Sequence, residues 1–165
     1  MNRSSLLDLP SQLPVKEAAT VDPSYAMSGE LYLANTGWIF LAVPNALVRA
    51  VFATMVEPGI SLPTRDGALQ AHISVMRPAE IEQLGGPGKL ANDRGKRYRY
   101  SLGRMKTVEP HNDDQISRVW FLEVHSPELN ALRNSYGLPT PKYPYHITVA
   151  VRRKNVLRAN EVSKQ

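Results

Sequence analysis

The 165-residue chain contains no cysteine. That excludes disulfides, zinc–thiolate sites, iron–sulfur clusters and a cysteine nucleophile. No stretch of 18 apolar residues occurs, so no membrane-spanning helix is expected. Met1 to Leu7 are followed by Asp8 and Pro10, without the long apolar centre or small-residue cleavage site of a secretion signal. A soluble, cytoplasmic protein is expected. Histidine is scarce, four residues in all, and carboxylates do not gather beside the two that open apolar strands, His72 and His146. No metal cage is expected. Apolar residues make up 42% and charged residues 21%, a balance that suits one globular domain or two small lobes sharing a core.

What basicity there is sits in one place. Arg94, Lys96, Arg97, Arg99, Arg104 and Lys106 fall within 13 residues that hold no acid, and without those six cations the formal charge of +5 would become −1. The chain is thus a neutral body with one basic strip, seconded by Arg152, Arg153 and Lys154, and not a coat for long nucleic acid. Tyr98 and Tyr100 are interleaved with the cations. Cations attract phosphates and rings stack on bases, which makes both tyrosines candidates for substrate binding. The plainer reading is a solvated strand face of alternating Arg and Tyr.

Residues 1–28 are Pro-punctuated and weakly patterned, and read as an N-terminal arm. Alternation over 30–34 and the apolar run 38–43 predict two strands around an Asn-Thr-Gly turn. Asn45 is expected to cap a helix whose apolar face is Leu47, Val48, Val51, Phe52 and Met55, stopped by Pro58-Gly59. A loop through Pro63 and Gly67 leads to a strand over 71–76, then a short helix over 78–84. Gly85 to Gly88 form a break, and lack the Gly-Lys-Ser/Thr ending of a phosphate loop. Strands follow over 98–108 and 118–124. Ser126 and Pro127 start a helix that Gly137 ends. A Pro-rich loop leads to the last strand, 145–151, and residues 158–165 form a polar tail.

Two stretches of this plan are alike. Each runs from Trp (Trp38, Trp120) through an apolar strand, a helix and a loop to a strand that opens His-Ile-Ser/Thr-Val, 34 residues on in one and 26 in the other. Duplication into two lobes about a pseudo-twofold axis is expected. The tryptophans then take equivalent places, with core packing as their expected role.

Side chains alternate across a strand, so His72 and Ser74 share one face, as do His146 and Thr148. Side by side across a twofold, the strands would bring two imidazoles and two hydroxyls to one cleft. One neutral ring can accept a proton while the other, charged, donates one. The hydroxyls can donate hydrogen bonds to phosphoryl oxygens.

These paired motifs resemble the 2H phosphoesterase superfamily. The stretches 35–45, 71–78, 94–103 and 146–156 are similar to the phage anti-CBASS phosphodiesterases within it. The resemblance covers roughly residues 30–157. It implies an α+β, bilobal fold over 29–157, with two pseudo-twofold-related antiparallel sheet lobes and flanking helices. It implies His72, Ser74, His146 and Thr148 as catalytic residues, with no metal and no cofactor. The implied substrate is a 3′–5′-linked cyclic di- or trinucleotide second messenger, cGAMP among them, cleaved in the host cytoplasm to block a CBASS antiphage defence.

Three alternatives remain open at this point. The same chemistry could serve RNA 2′,3′-cyclic phosphates or 2′–5′ linkages. The chain could be a non-catalytic cyclic nucleotide sponge. It could be a structural protein with accidental motifs. The sequence does not assign base and acid, and leaves open whether the chain forms a homo-oligomer.

Overall fold

Two strand–helix–strand units account for most of residues 27–155, the part of the chain that the computed structural model describes. In chain order the elements are β1 (Met27–Leu33), β2 (Ile39–Ala42), α1 (Asn45–Ala53), β3 (Ile60–Ser61), β4 (His72–Met76), α2 (Pro78–Gln83), β5 (Arg97–Val108), β6 (Ile116–His125), α3 (Pro127–Ser135) and β7 (His146–Arg153). A 3₁₀ turn over Pro87–Leu90 follows the glycine pair at 85–86. The arm expected over 1–28 lies outside the described residues, except that Met27 and Ser28 already belong to β1. The tail at 158–165 lies outside them too.

The strands form one antiparallel sheet in the order β3-β7-β6-β5-β1-β2-β4. Without the edge strand β3 this order is palindromic: β7-β6-β5 on one side answers β4-β2-β1 on the other. Two pseudo-twofold-related antiparallel sheet lobes were expected. They are instead fused, because Met27–Glu30 pair with Arg97–Tyr100 across the middle. β4 and β7, at opposite ends of the six-strand run, also pack against each other. The sheet therefore curls back on itself and brings the two His strands together.

Register fixes how the units correspond. Ser74 pairs with Phe40 and Met76 with Ile39, so Val75 is an extra residue in β4. Thr148 pairs with Phe121 and Ala150 with Trp120, so Val149 is an extra residue in β7. A β-bulge thus follows the Ser/Thr of both motifs. On this correspondence Phe40 matches Phe121 and Ile39 matches Trp120. Trp38 and Trp120 are therefore not equivalent, as the spacing of the motifs suggested, but displaced by one residue. Trp120 is buried, with the guanidinium groups of Arg152 and Arg118 over its ring, whereas Trp38 is half-buried beside Phe40.

Alternation sorts the sheet into two faces. Leu31, Leu41, Ile73, Tyr100, Leu122 and Ile147 point to the side covered by the helices and join Val48 of α1, Ile81 of α2 and Leu129 of α3 in one core. β1 and β2 close tightly there. A side chain at Gly29 would fall 2.0 Å from the Ala42 carbonyl oxygen, so only glycine fits. Arg133 of α3 is 2% exposed and links the units. It donates to both carboxylate oxygens of Glu80 in α2 (2.8 and 3.2 Å), to the carbonyl of the bulged Val75 (2.7 Å) and to that of Pro139.

Candidate active site

The face of the sheet without helices carries both motifs. The Cα pairs His72–Ala42, Ser74–Phe40 and Phe40–Tyr32 put these side chains on it in the first unit. His146–Glu123 and Thr148–Phe121 do so in the second. All four motif residues are half-buried. The charge of His146 reaches His72, which places both rings in one electrostatic neighbourhood.

The two imidazoles are held alike. His72 Nδ1 lies 2.7 Å from the Gln70 carbonyl oxygen, and His146 Nδ1 lies 3.0 Å from that of Pro144. A carbonyl oxygen only accepts, so Nδ1 carries the hydrogen in both rings and Nε2 is left to exchange protons with a ligand. Each ring also rests on the phenylalanine of the neighbouring strand. His72 stacks on Phe40, with centroids 3.8 Å apart and planes inclined by 24°. His146 meets Phe121 at 5.1 Å and 59°. Burial lowers the pKa of His72. The bond to Gln70 opposes this, and the charges of His146 and Arg65 add to it.

Arg65 stands at the base of a two-residue hairpin. It exchanges both backbone hydrogen bonds with Ala68, and Asp66 and Gly67 have φ of 51° and 77°. This is the Asp-Gly turn that suits two residues with positive φ. It brings a cation towards His72 that the sequence did not single out as part of the site.

Tyr98 and Tyr100, the expected base platforms, point the other way. Along β5 the face shared with the His motifs belongs to Arg97, Arg99 and Ser101, through the Cα pairs Glu30–Arg97, Ser28–Arg99 and Ser101–His125. Tyr100 is 1% exposed in the core and has no surface for a base. Tyr98 packs against the core and donates to Asp93 at 3.3 Å, and burial with that carboxylate pushes its phenol up to about 12. The cations of the strip are largely spoken for. Lys96 pairs with Asp93 (3.1 Å), Arg99 with Glu128 (2.6 Å) and Lys106 with Glu123 (2.7 Å). Arg97 donates to the backbone and hydroxyl oxygens of Ser28. The solvated-face reading of the strip therefore describes it better. The aromatic surface on the open face is Phe40, with Tyr32 and Trp38 against it at 5.9 and 6.0 Å, and Phe121 beside His146 in the second unit. The alternation Tyr32-Leu33 and Trp38-Ile39-Phe40 was the signal for them.

Among the described residues no group of three or more His, Asp or Glu side chains is arranged to hold a metal ion, and no helix is long and apolar enough to cross a membrane.

Two imidazoles with matched tautomers and two hydroxyls on one open sheet face make a constellation suited to acid–base chemistry on a phosphoester. The family model of the Swiss Army Knife 2H phosphoesterase domain matches residues 45–157, from the start of α1 through both His strands. The chain belongs to this 2H phosphoesterase family, and a phosphoesterase activity follows from the membership. No curated protein and no solved structure matches the chain.

Proposed function

We propose that the protein is a metal-independent phosphodiesterase that cleaves 3′–5′-linked cyclic di- or trinucleotide second messengers, and so blocks a CBASS defence. The observation that carries the catalytic part is the twinned geometry of His72 and His146. Each ring donates from Nδ1 to the carbonyl two residues before it and leaves Nε2 free.

His72 is the base, because burial favours its neutral form. Its Nε2 takes the proton of the 2′-hydroxyl beside the scissile phosphate. The 2′-oxygen attacks phosphorus in line as the P–O5′ bond breaks. His146, entering as the imidazolium, gives its Nε2 proton to the departing O5′. The products are a 2′,3′-cyclic phosphate end and a free 5′-hydroxyl on one opened strand. Ser74 and Thr148, two residues along from each His, donate to the non-bridging oxygens.

Two features support a compact ligand over long RNA. Three of the six cations of the strip, Lys96, Arg99 and Lys106, are paired with carboxylates, which interrupts a cationic track for a backbone. Phe40 stacks on the His72 imidazole, and Tyr32 and Trp38 pack against Phe40, which gives an aromatic surface beside that ring for a small base-bearing ligand.

The test is incubation of the purified chain with a panel of cyclic di- and trinucleotides, followed by chromatography and mass spectrometry. Opened nucleotides, absent with His146→Ala, are expected. Intact ligand recovered from a tight complex would make the protein a sponge. Cleavage confined to RNA 2′,3′-cyclic phosphates or 2′–5′ oligonucleotides would move the substrate and keep the chemistry.

A further inference from the structure

We infer that Asn45 is a positioning residue for His72, doing for the first motif what Pro144 does for the second. Both reactive rings depend on a backbone carbonyl two residues upstream, Gln70 for His72 and Pro144 for His146. That carbonyl must stay in place if Nδ1 is to keep the hydrogen. In the second unit it belongs to a proline, whose ring fixes φ. In the first it belongs to Gln70, an exposed residue with no such restraint.

Asn45 supplies the restraint from outside. Its Nδ2 donates to the Leu69 carbonyl oxygen at 2.8 Å, and its Oδ1 accepts from the Ala71 N–H at 2.9 Å. One carboxamide therefore grips the backbone on both sides of residue 70. The neighbouring bond is common to both units: Val43 N–H donates to the Ala71 carbonyl oxygen (3.0 Å), and Val124 N–H to that of Tyr145 (2.9 Å). Only the clamp around residue 70 differs.

The helix starts show the same division of labour. By register, Asn45 corresponds to Ser126. Ser126 accepts from Leu129 N–H at 3.1 Å and caps α3. α1 has no side-chain cap. Asn45 was expected to cap α1, and its carboxamide is instead committed to the strand that leads into His72.

The kinetic part of this inference rests on His72 being catalytic; the structural part does not. The test is nitrogen NMR on the full chain carrying ¹⁵N-labelled histidine, at alkaline pH where the rings are neutral. In the unaltered protein His72 and His146 both show the hydrogen on Nδ1. In Asn45→Ala, His72 is expected to shift towards the Nε2–H form while His146 stays unchanged and reports an intact fold. With whichever phosphodiester proves to be the substrate, kcat falls about 10- to 100-fold and KM holds, as for a reacting group moved by a fraction of an ångström. If the alanine variant loses the His146 signal too, Asn45→Asp, which keeps the acceptor for Ala71 N–H, serves in its place and is expected to shift His72 partway. A His72 ring that keeps its Nδ1 hydrogen in a folded variant overturns the inference, whatever the substrate turns out to be.

Discussion

The imidazole of His72 lies nearly flat on the ring of Phe40, with centroids 3.8 Å apart and planes inclined by 24°. Its counterpart His146 is tilted by 59° against Phe121 at 5.1 Å. The pseudo-twofold therefore stops short of the two rings, and the closer stack helps bury the ring whose charged form is disfavoured. A near-symmetric pair of histidines has in this way been given unequal surroundings, which is what an acid and a base need.

The pH dependence follows from that inequality. In the free enzyme His72 must be neutral to accept a proton, and its pKa is lowered. The acidic limb of kcat/KM is therefore expected below about pH 6.5, the ordinary histidine value. The charge of Arg65 helps hold it there, so Arg65→Gln should move the limb upward. A limb at or above pH 6.5 in the unaltered protein would take the base role from His72.

Removal of either ring should cost about 10²–10⁴ in kcat, the usual range for one general acid or base. Because the two act in one step, His72→Ala with His146→Ala should lose little more than either alone. Fully multiplicative losses, read from single-turnover rates, would mean that the rings do not act together.

Stability hinges on Arg133 and Glu80. Glu80→Gln leaves a buried guanidinium without its counter-charge, and breaking such a pair costs about 3–5 kcal/mol. The bond to Arg133 is the main cause that holds the Glu80 carboxyl below its usual value. The unfolded chain thus binds the proton first, so this contribution is complete above the unfolded carboxyl pKa and fades as pH falls through the folded one. Denaturant titrations across that acidic window should show a steeper loss in the unaltered protein than in Glu80→Gln. Parallel curves would remove the pair from the account.

The tyrosines of the basic strip offer a contrary test. The Tyr100 hydroxyl is buried without a hydrogen-bond partner among the described residues. Tyr100→Phe should therefore leave the melting temperature unchanged or raise it, since an unsatisfied buried group is being removed. KM should not move. A rise in KM would return Tyr100 to the ligand site.

Much of this was legible where the signals are local. The two His-x-Ser/Thr strands, the Ser126 cap of α3 and the stop at Gly137 follow from alternation and capping chemistry. What escaped depends on partners far along the chain. β3 is two residues long and is a strand only because Ile60 and Ser61 meet Arg152 and Val151. The fusion of two lobes into one sheet rests on the β1–β5 pairing, 67 to 73 residues apart, which leaves no local mark. Arg and Tyr alternate visibly along β5, but which line faces the ligand is decided by the side that the helices cover, and that put the arginines outward and Tyr98 and Tyr100 inward. Asn45 carries the chemistry of a cap and was spent on Leu69 and Ala71, and nothing near Arg133 in the chain announces the Glu80 carboxylate and Val75 carbonyl that it meets.

The central claim is that two imidazoles drive attack by the substrate's own 2′-hydroxyl with no metal. The most direct measurement compares a cyclic dinucleotide that the protein cleaves with its 2′-deoxy analogue at the scissile position, both in EDTA, with products resolved by mass spectrometry. The account predicts an undiminished rate for the ribose form, a product ending in a 2′,3′-cyclic phosphate or its opened form, and no cleavage of the deoxy analogue. Comparable cleavage of the analogue, or activity lost in EDTA and restored by a divalent ion, would contradict it.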